Sequence, residues 1–300
     1  MTEMIAGIVV QTLVKGGVYA LLALGFALIF GVARVLQLSH TSFYMLAAFG
    51  LFTLTDAAFL GKYPFISLPW AAVLLSIIVT TAIGLAVYKL FIDRVREHHV
   101  TVMLITLAVA MAFQQIMIII FSGQYRSAPS FLTGYWTILG VKVAYQNIMV
   151  FAGAAIVLLI IWAILQRTRL GIAIRATAQD TEIANLMGIN VSTVLLLVMG
   201  IAAALAAIAG VLVAPTMVLE PGMLWPPFVM VMAIITLGGL GSIWGSVLGA
   251  LILAFVQTLV VFLVPTGAFL QGAAALLVMI LVLIFRPEGL FGIVFEEERL

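Results

Sequence analysis

Charged positions divide this chain into long apolar runs. Residues 16–33, 63–88, 100–125 and 143–166 contain no Asp, Glu, Lys, Arg or His, and 221–285 is one such run of 65 positions. A helix needs about 20 apolar residues to cross a bilayer, so the last run must fold back on itself. It divides at Gly238-Gly239-Leu240-Gly241-Ser242 and at Pro265-Thr266-Gly267, where glycine and proline break helices. The pattern predicts nine segments, near 15–35, 41–60, 66–91, 100–121, 147–165, 192–214, 227–240, 246–264 and 268–285. The second, with Asp56 near its end, and the seventh read as candidates for broken or re-entrant segments.

In hydrocarbon every backbone N–H and C=O must be paired within the protein, which leaves a helix or a closed barrel. Barrel strands alternate in polarity at every second residue. Here Ile116-Met117-Ile118-Ile119-Ile120-Phe121 is apolar throughout. The expected fold is therefore an all-α polytopic membrane bundle of eight to nine helices, forming one transmembrane domain over 1–300.

Two intervals between segments are long. Segment 122–146 carries Tyr125, Arg126, Pro129, Tyr135, Trp136 and Lys142, aromatics that suit a membrane interface. Segment 166–191 is the most polar stretch of the chain. Within it Thr181–Leu186 reads as a short helix, with Asp180 as N-cap and Gly188 as terminator, while Asn190 or Ser192 caps the next span. Such an element is either a solvated connector or a lever for a soluble partner, since a short helix held by two spans moves only with them.

Composition narrows the class. The chain is 65% hydrophobic and 8% charged, with a mean hydropathy of +1.33. That polar surface is too small to cover a soluble domain, which excludes a cytosolic enzyme, a nucleic-acid binder and a disordered chain. The net charge is only +2, and there are no cysteines for a disulfide, a thiolate metal site or a thiol nucleophile. The first residues, with Glu3 and no basic cluster, do not read as a signal peptide. With nine spans, one side collects Arg34, Lys89, Arg94, Arg96, Arg167, Arg169, Arg175, Arg286 and Arg299, and the other Lys15, Lys62, Arg126 and Lys142. The excess of basic residues assigns the first side, with the C-terminus, to the cytoplasm and the N-terminus to the outside.

Residues 175–190, Arg-Ala-Thr-Ala-Gln-Asp-Thr-Glu-Ile-Ala-Asn-Leu-Met-Gly-Ile-Asn, resemble the coupling loop of the LivH-type permeases of branched-chain amino acid ABC importers. Glu182-Ile-Ala184-Asn-Leu-Met-Gly188 also fits the wider importer pattern of EAA followed by glycine, with Ile183 at the middle position. Gly17-Val-Tyr19-Ala-Leu-Leu-Ala-Leu-Gly25, Leu237-Gly-Gly-Leu-Gly-Ser-Ile-Trp-Gly245 and Arg286-Pro-Glu-Gly-Leu-Phe-Gly292 resemble other parts of the same family, in the same order. At the second segment the family commonly has Asn-Phe-Ala-His-Gly, where this chain has Gln37-Leu-Ser-His40-Thr41.

The resemblance implies a plasma-membrane permease of bacterial or archaeal type, paired with a second, LivM-like permease. It implies two cytoplasmic ATPases and a periplasmic binding protein that delivers leucine, isoleucine, valine or a related solute. Arg175, Asp180, Glu182, Ala184, Gly188 and Asn190 would then serve ATPase coupling. No GxxxxGK[ST] phosphate loop is present, so ATP and Mg²⁺ would be held by the partners and no cofactor by this chain.

The path is expected to be uncharged, because a zwitterion carries no net charge and ATP-driven import needs no intramembrane carboxylates. Candidate path residues are His40, Thr41, Ser42, Gln114, Thr236, Ser246 and Gln257, whose alternative role is hydrogen bonding between helices. Gly241, Gly245 and Gly249 form a small-residue stripe that lets helices approach closely, either within the chain or at a subunit seam. His98 and His99 are adjacent and diverge on a helix, so they make no metal pair. Two other readings stay open: a carrier or channel without ATPases, and a permease of this type for urea, amides or aromatic acids. An intramembrane enzyme is disfavoured, because no HExxH or Gly-x-Ser-x-Gly motif is present.

Overall fold

The apolar runs fold into helices that alternate in direction, and a computed structural model describes residues 2–56, 69–96, 98–138 and 140–292 of the chain. The order is α1 (Thr2–Ala33), α2 (His40–Thr55), α3 (Pro69–Val87, continued by a π turn at Tyr88–Ile92) and α4 (His99–Phe121). A hairpin of β1 (Tyr135–Ile138) and β2 (Val141–Ala144) leads into α5 (Tyr145–Arg167), then the short α6 (Arg169–Gln179) and α7 (Thr181–Leu186). The chain continues with α8 (Val191–Val213), α9 (Trp225–Gly238), α10 (Ile243–Leu263) and α11 (Gly267–Phe285). Among the described residues seven helices are long and apolar enough to cross a membrane. The exceptions among the predicted segments are α2, of 16 residues, and α9, of 14. At 1.5 Å per residue they reach about 24 Å and about 21 Å, short of a ~30 Å hydrocarbon core. The predicted ends at 57–60 and 66–68, with Lys62 and Arg299, lie outside the described residues.

Burial sorts the helices. In α1 and α8 most of the length is buried, whereas almost none of α11 is. The centre is held by α1, which packs against α10 over most of its length and also against α8, α5 and α9. Large apolar side chains on the peripheral helices, such as Ile78, Leu104, Ile119, Leu159, Phe269 and Phe285, point outward. That distribution suits a protein whose solvent at the waist is lipid rather than water.

Close packing in the core depends on small residues. A Cβ on Gly210 of α8 would run into the carbonyl oxygen of Tyr44 in α2. Gly238 at the end of α9 and Gly245 at the start of α10 face each other so closely that a Cβ on either would enter the other's carbonyl. A Cβ on Gly249 would stand 2.8 Å from Ile234 O of α9, and Gly31 of α1 meets the backbone of Gly241. The stripe Gly241, Gly245 and Gly249 therefore packs against helices of its own chain. The α9–α10 turn also requires Gly239, at φ 99, because side chains other than glycine disfavour that region.

Three features differ from the sequence expectation. The first helix begins at Thr2 rather than near residue 15, so Lys15 lies inside α1 and not in an outer loop. Segment 122–146 contains the β hairpin, in which Tyr135 pairs with Ala144 and Trp136 with Val143. The polar 166–191 interval is mostly helical, because α6 precedes the predicted short helix. Charge-free counting misses α6, which is too short and too polar to resemble a span.

Between α1 and α2 the chain turns back into the protein. Arg34 leaves α1 in the left-handed region, at φ 52, and Val35, Gln37 and Ser39 are buried. The Leu38 N–H donates to Thr106 Oγ1 of α4 at 3.1 Å. His40 then begins α2 with Nε2 donating to Leu22 O at 3.1 Å. Leu22 lies about 16 Å along α1 from Ala33, so α2 starts well inside the bundle. Non-helical backbone at that depth is tolerated because protein surrounds it.

Candidate functional site

One end of the bundle carries α6 and α7. Thr168 Oγ1 accepts from Gly171 N at 3.1 Å and starts α6. Asp180 ends α6 and starts α7, its Oδ1 accepting from Glu182 N at 2.8 Å and Ile183 N at 2.9 Å. Gly188 closes α7 at φ 84, a geometry suited to glycine after a helix C-terminus. Asn190 Oδ1 accepts from Thr193 N at 3.1 Å and caps α8. Asp180→Ala removes an acceptor from two helix-start N–H groups and is expected to destabilise this corner by about 1 kcal/mol. Faster hydrogen exchange confined to 180–188 is the check, with the spans unchanged.

The side chains of this corner divide by direction. Ala184 is buried, whereas Ile183, Leu186 and Met187 stand out of the protein at 59%, 86% and 78% exposure. Glu182 is exposed beside them. Arg175 turns inward and its Nη1 donates to Leu165 O, so it ties α6 to the end of α5. The same end holds Arg34, Lys89, Arg94, Arg96, Arg167, Arg169 and Arg286 by the order of the helices. Arg34 Nη2 donates to Gln179 O at 3.4 Å, linking the end of α1 to α6. Lys89 pairs with Asp93 at 2.8 Å, and its hydrogen bond holds the Asp93 carboxyl below the usual carboxylate range. Arg96 pairs with Asp93 at 3.8 Å and donates to Ser192 Oγ at 3.4 Å, joining the π turn to the start of α8.

At the opposite end, beside the hairpin, a cavity of about 420 Å³ opens between α1, α2, α5, α9 and the 214–224 connection. Its lining includes Lys15 and Tyr19 of α1, Tyr44 of α2, Asn147 of α5, Thr216 and Glu220, among valines and methionines. Lys15 is not superficial. Its neighbour Gly17 packs on Ala154, about 14 Å down α5 from Tyr145. Lys15 Nζ donates to Gln271 Oε1 of α11 at 3.2 Å. Pro226 and Pro227 line the cavity at the start of α9, where proline is accepted because the first turn has no partner for its N–H. Trp225 Nε1 donates to Gln114 Oε1 of α4 at 2.9 Å and fixes that start.

One turn deeper along α2 than Tyr44 lies a polar layer. His40, Thr41 and Ser42 are buried completely. Gln37 Oε1, His40 Nδ1, Thr41 Oγ1 and Ser42 Oγ have no protein hydrogen-bond partner among the described residues. A Cβ on Gly25 would stand 2.9 Å from the His40 ring, and Phe26 meets that ring edge-on at 5.9 Å. The arrangement is a buried polar layer between α1, α2 and α8.

The comparisons with known proteins bear on the whole of this framework. A family model described as "Branched-chain amino acid transport system / permease component" matches residues 8–286. The chain belongs to this permease family. BraD of Pseudomonas aeruginosa, a high-affinity branched-chain amino acid transport system permease protein, is 30% identical over 94% of each chain. LivH of Salmonella typhimurium is 27% identical over 92% of each. A probable LivH of Methanocaldococcus jannaschii is 26% identical over 94% of this chain and 90% of its own. A solved structure, PsaBC from Streptococcus pneumoniae in complex with Fab, shares 14% identity over 95% of this chain and 96% of its own, at a TM-score of 0.49.

Within this branched-chain permease the residues selected from sequence fall into separate groups. His40, Thr41 and Ser42 come together in the polar layer. Gln114 binds Trp225, Thr236 Oγ1 donates to Met232 O of its own helix at 2.9 Å, Ser246 Oγ to Ile243 O at 2.8 Å, and Gln257 Nε2 to Met230 Sδ at 3.2 Å. None of these four lines the cavity. Of the coupling set, Asp180, Gly188 and Asn190 shape the corner, Ala184 and Arg175 anchor it, and Glu182 alone is free to face outward. Sequence reasoning did not select Ile183, Leu186 and Met187 for their exposure, nor Lys15, Tyr44 and Glu220 for the cavity. The available signal for Lys15 was the apolar stretch that precedes it, which makes it an interruption of one helix.

Proposed function

We propose that this chain is a translocating subunit of an ATP-driven importer for branched-chain or related hydrophobic amino acids. Such a machine pairs it with a second, LivM-like permease, two cytoplasmic ATPases that hold ATP and Mg²⁺, and a periplasmic binding protein. The observation that carries the reading is the corner 168–190. A rigidly capped helix there presents Ile183, Leu186 and Met187 to an aqueous end of the bundle, and exposed apolar side chains in such a cluster mark a docking surface. The excess of basic residues at that end supports, by the positive-inside rule, a cytoplasmic corner and an N-terminus on the outside. The cavity then faces the delivery side, and His40, Thr41 and Ser42 stand on the inward route.

The test is leucine uptake into proteoliposomes. The chain reconstituted with the second permease, both ATPases and the binding protein is expected to accumulate leucine when ATP is supplied. The chain alone is expected to accumulate none. Uphill leucine accumulation by the lone chain would make it a carrier and would overturn the proposal.

A further inference from the structure

Among the cavity-lining residues are one cation and one anion, Lys15 and Glu220, and no other charged group. They come from different elements, α1 and the connection before α9. The ion pairs among the described residues are those of Asp93 with Lys89 and Arg96, so Lys15 and Glu220 share a space without neutralising each other. The hydrogen-bond acceptor given to Lys15 is the neutral amide of Gln271. A lysine held at this depth without a counter-charge is costly and marks a functional position. The same lining includes the aliphatic side chains of Val14, Val18, Val150 and Val213. The volume falls in the ~300–1,000 Å³ range of small-molecule sites.

We infer that this cavity is a binding subsite for a small aliphatic zwitterion, with the carboxylate held at Lys15 and the ammonium at Glu220. This rests on the permease reading and adds to it the two residues that hold the solute. Glu220 disfavours a plain anion and Lys15 a plain cation, while an uncharged amide would leave both charges desolvated and unmatched. A branched aliphatic side chain gains contact with the valine wall. An aromatic acid or urea uses neither the charge pair nor that wall as fully.

The chain has no cysteine, which makes a direct test possible in the assembled transporter. Val218 lines the cavity and is 58% exposed. Val218→Cys can therefore be modified in membrane vesicles by a small neutral methanethiosulfonate reagent, and labelling of this chain followed by mass shift. Leucine is expected to protect the thiol at concentrations about tenfold lower than leucinamide, which lacks the carboxylate, or 4-methylpentanoate, which lacks the ammonium. Lys15→Met is expected to erase the advantage of leucine over leucinamide, and Lys15→Arg to keep it. Glu220→Gln is expected to erase the advantage over 4-methylpentanoate. Because Glu220 lies on a connection rather than in a span, its variant carries the test even where Lys15→Met does not assemble. Absence of protection by leucine, or an advantage that survives both neutralisations, overturns the subsite. Leucine uptake by the wild-type assembly is measured in parallel. Uptake without protection sinks the subsite and leaves the permease, and protection without uptake does the reverse.

Discussion

Vesicles carrying Leu186→Asp are expected to lose roughly 30-fold or more of their ATP-driven leucine uptake, the size of effect produced by truncating a central interface anchor. Leu186 is 86% exposed on a helix whose caps, Asp180 and Gly188, are formed by other residues. The substitution therefore leaves the fold of the corner intact while placing a charge in the exposed apolar patch proposed as the docking surface, where it must be desolvated without a partner. Insertion of the permease and the basal ATPase rate of the motor subunits are expected to stay at wild-type values. Glu182→Lys, next to the patch, is expected to act in the same direction and more weakly, because a rim charge remains partly solvated. Inverting Arg175 is a different experiment. Its guanidinium bonds the Leu165 carbonyl, so its loss loosens α6 on α5 as well as any coupling. Wild-type uptake by the Leu186→Asp assembly would remove the docking assignment.

Gly245→Val is expected to prevent stable folding. The new Cβ enters the carbonyl of Gly238, which is backbone and cannot rotate away, and the short 239–242 turn prevents α9 and α10 from separating. Overpacking of this kind costs about 3 kcal/mol at its upper range, and in a membrane protein it also opens a contact that only small residues sustain. The measurement is recovery of monodisperse protein in detergent and its thermal midpoint. Gly272→Ala on α11 is the control, because a Cβ there meets nothing within 4 Å. A Gly245→Val protein as stable as the control would refute this packing.

The parts legible in the sequence are those governed by local chemistry. The start, stop and caps of α7 follow from Asp180, Gly188 and Asn190, since each satisfies backbone groups within three residues of itself. The apolar runs place the spans and even mark α2 and α9 as the weak ones, because a crossing has a minimum length. The beginning of α1 was not legible. Counting from the last charge puts the boundary at Lys15, whereas the helix continues outward along the hairpin and α10, with a Cβ on Gly7 placed 3.1 Å from the Phe262 ring. The roles of individual polar residues were less legible still. Gln114 and Lys15 look alike as isolated polar positions in apolar surroundings. Only the fold shows that one is held by Trp225 and that the other lines a cavity. Arg175 and Glu182 share a motif, yet one points in and one out, a difference decided by where α5 ends.

The 32-residue length of α1 gives the two ends of the molecule a common mechanical part. Lys15 rides on this helix at the cavity, and immediately past its other end Arg34 grips the last carbonyl of α6. An unbroken helix resists stretching, and this one is clamped by α8 and α10 along its flanks. A shove at the α6–α7 corner is therefore felt at the ammonium of Lys15 as a shift or rotation of the whole rod, without any relay of side chains in between.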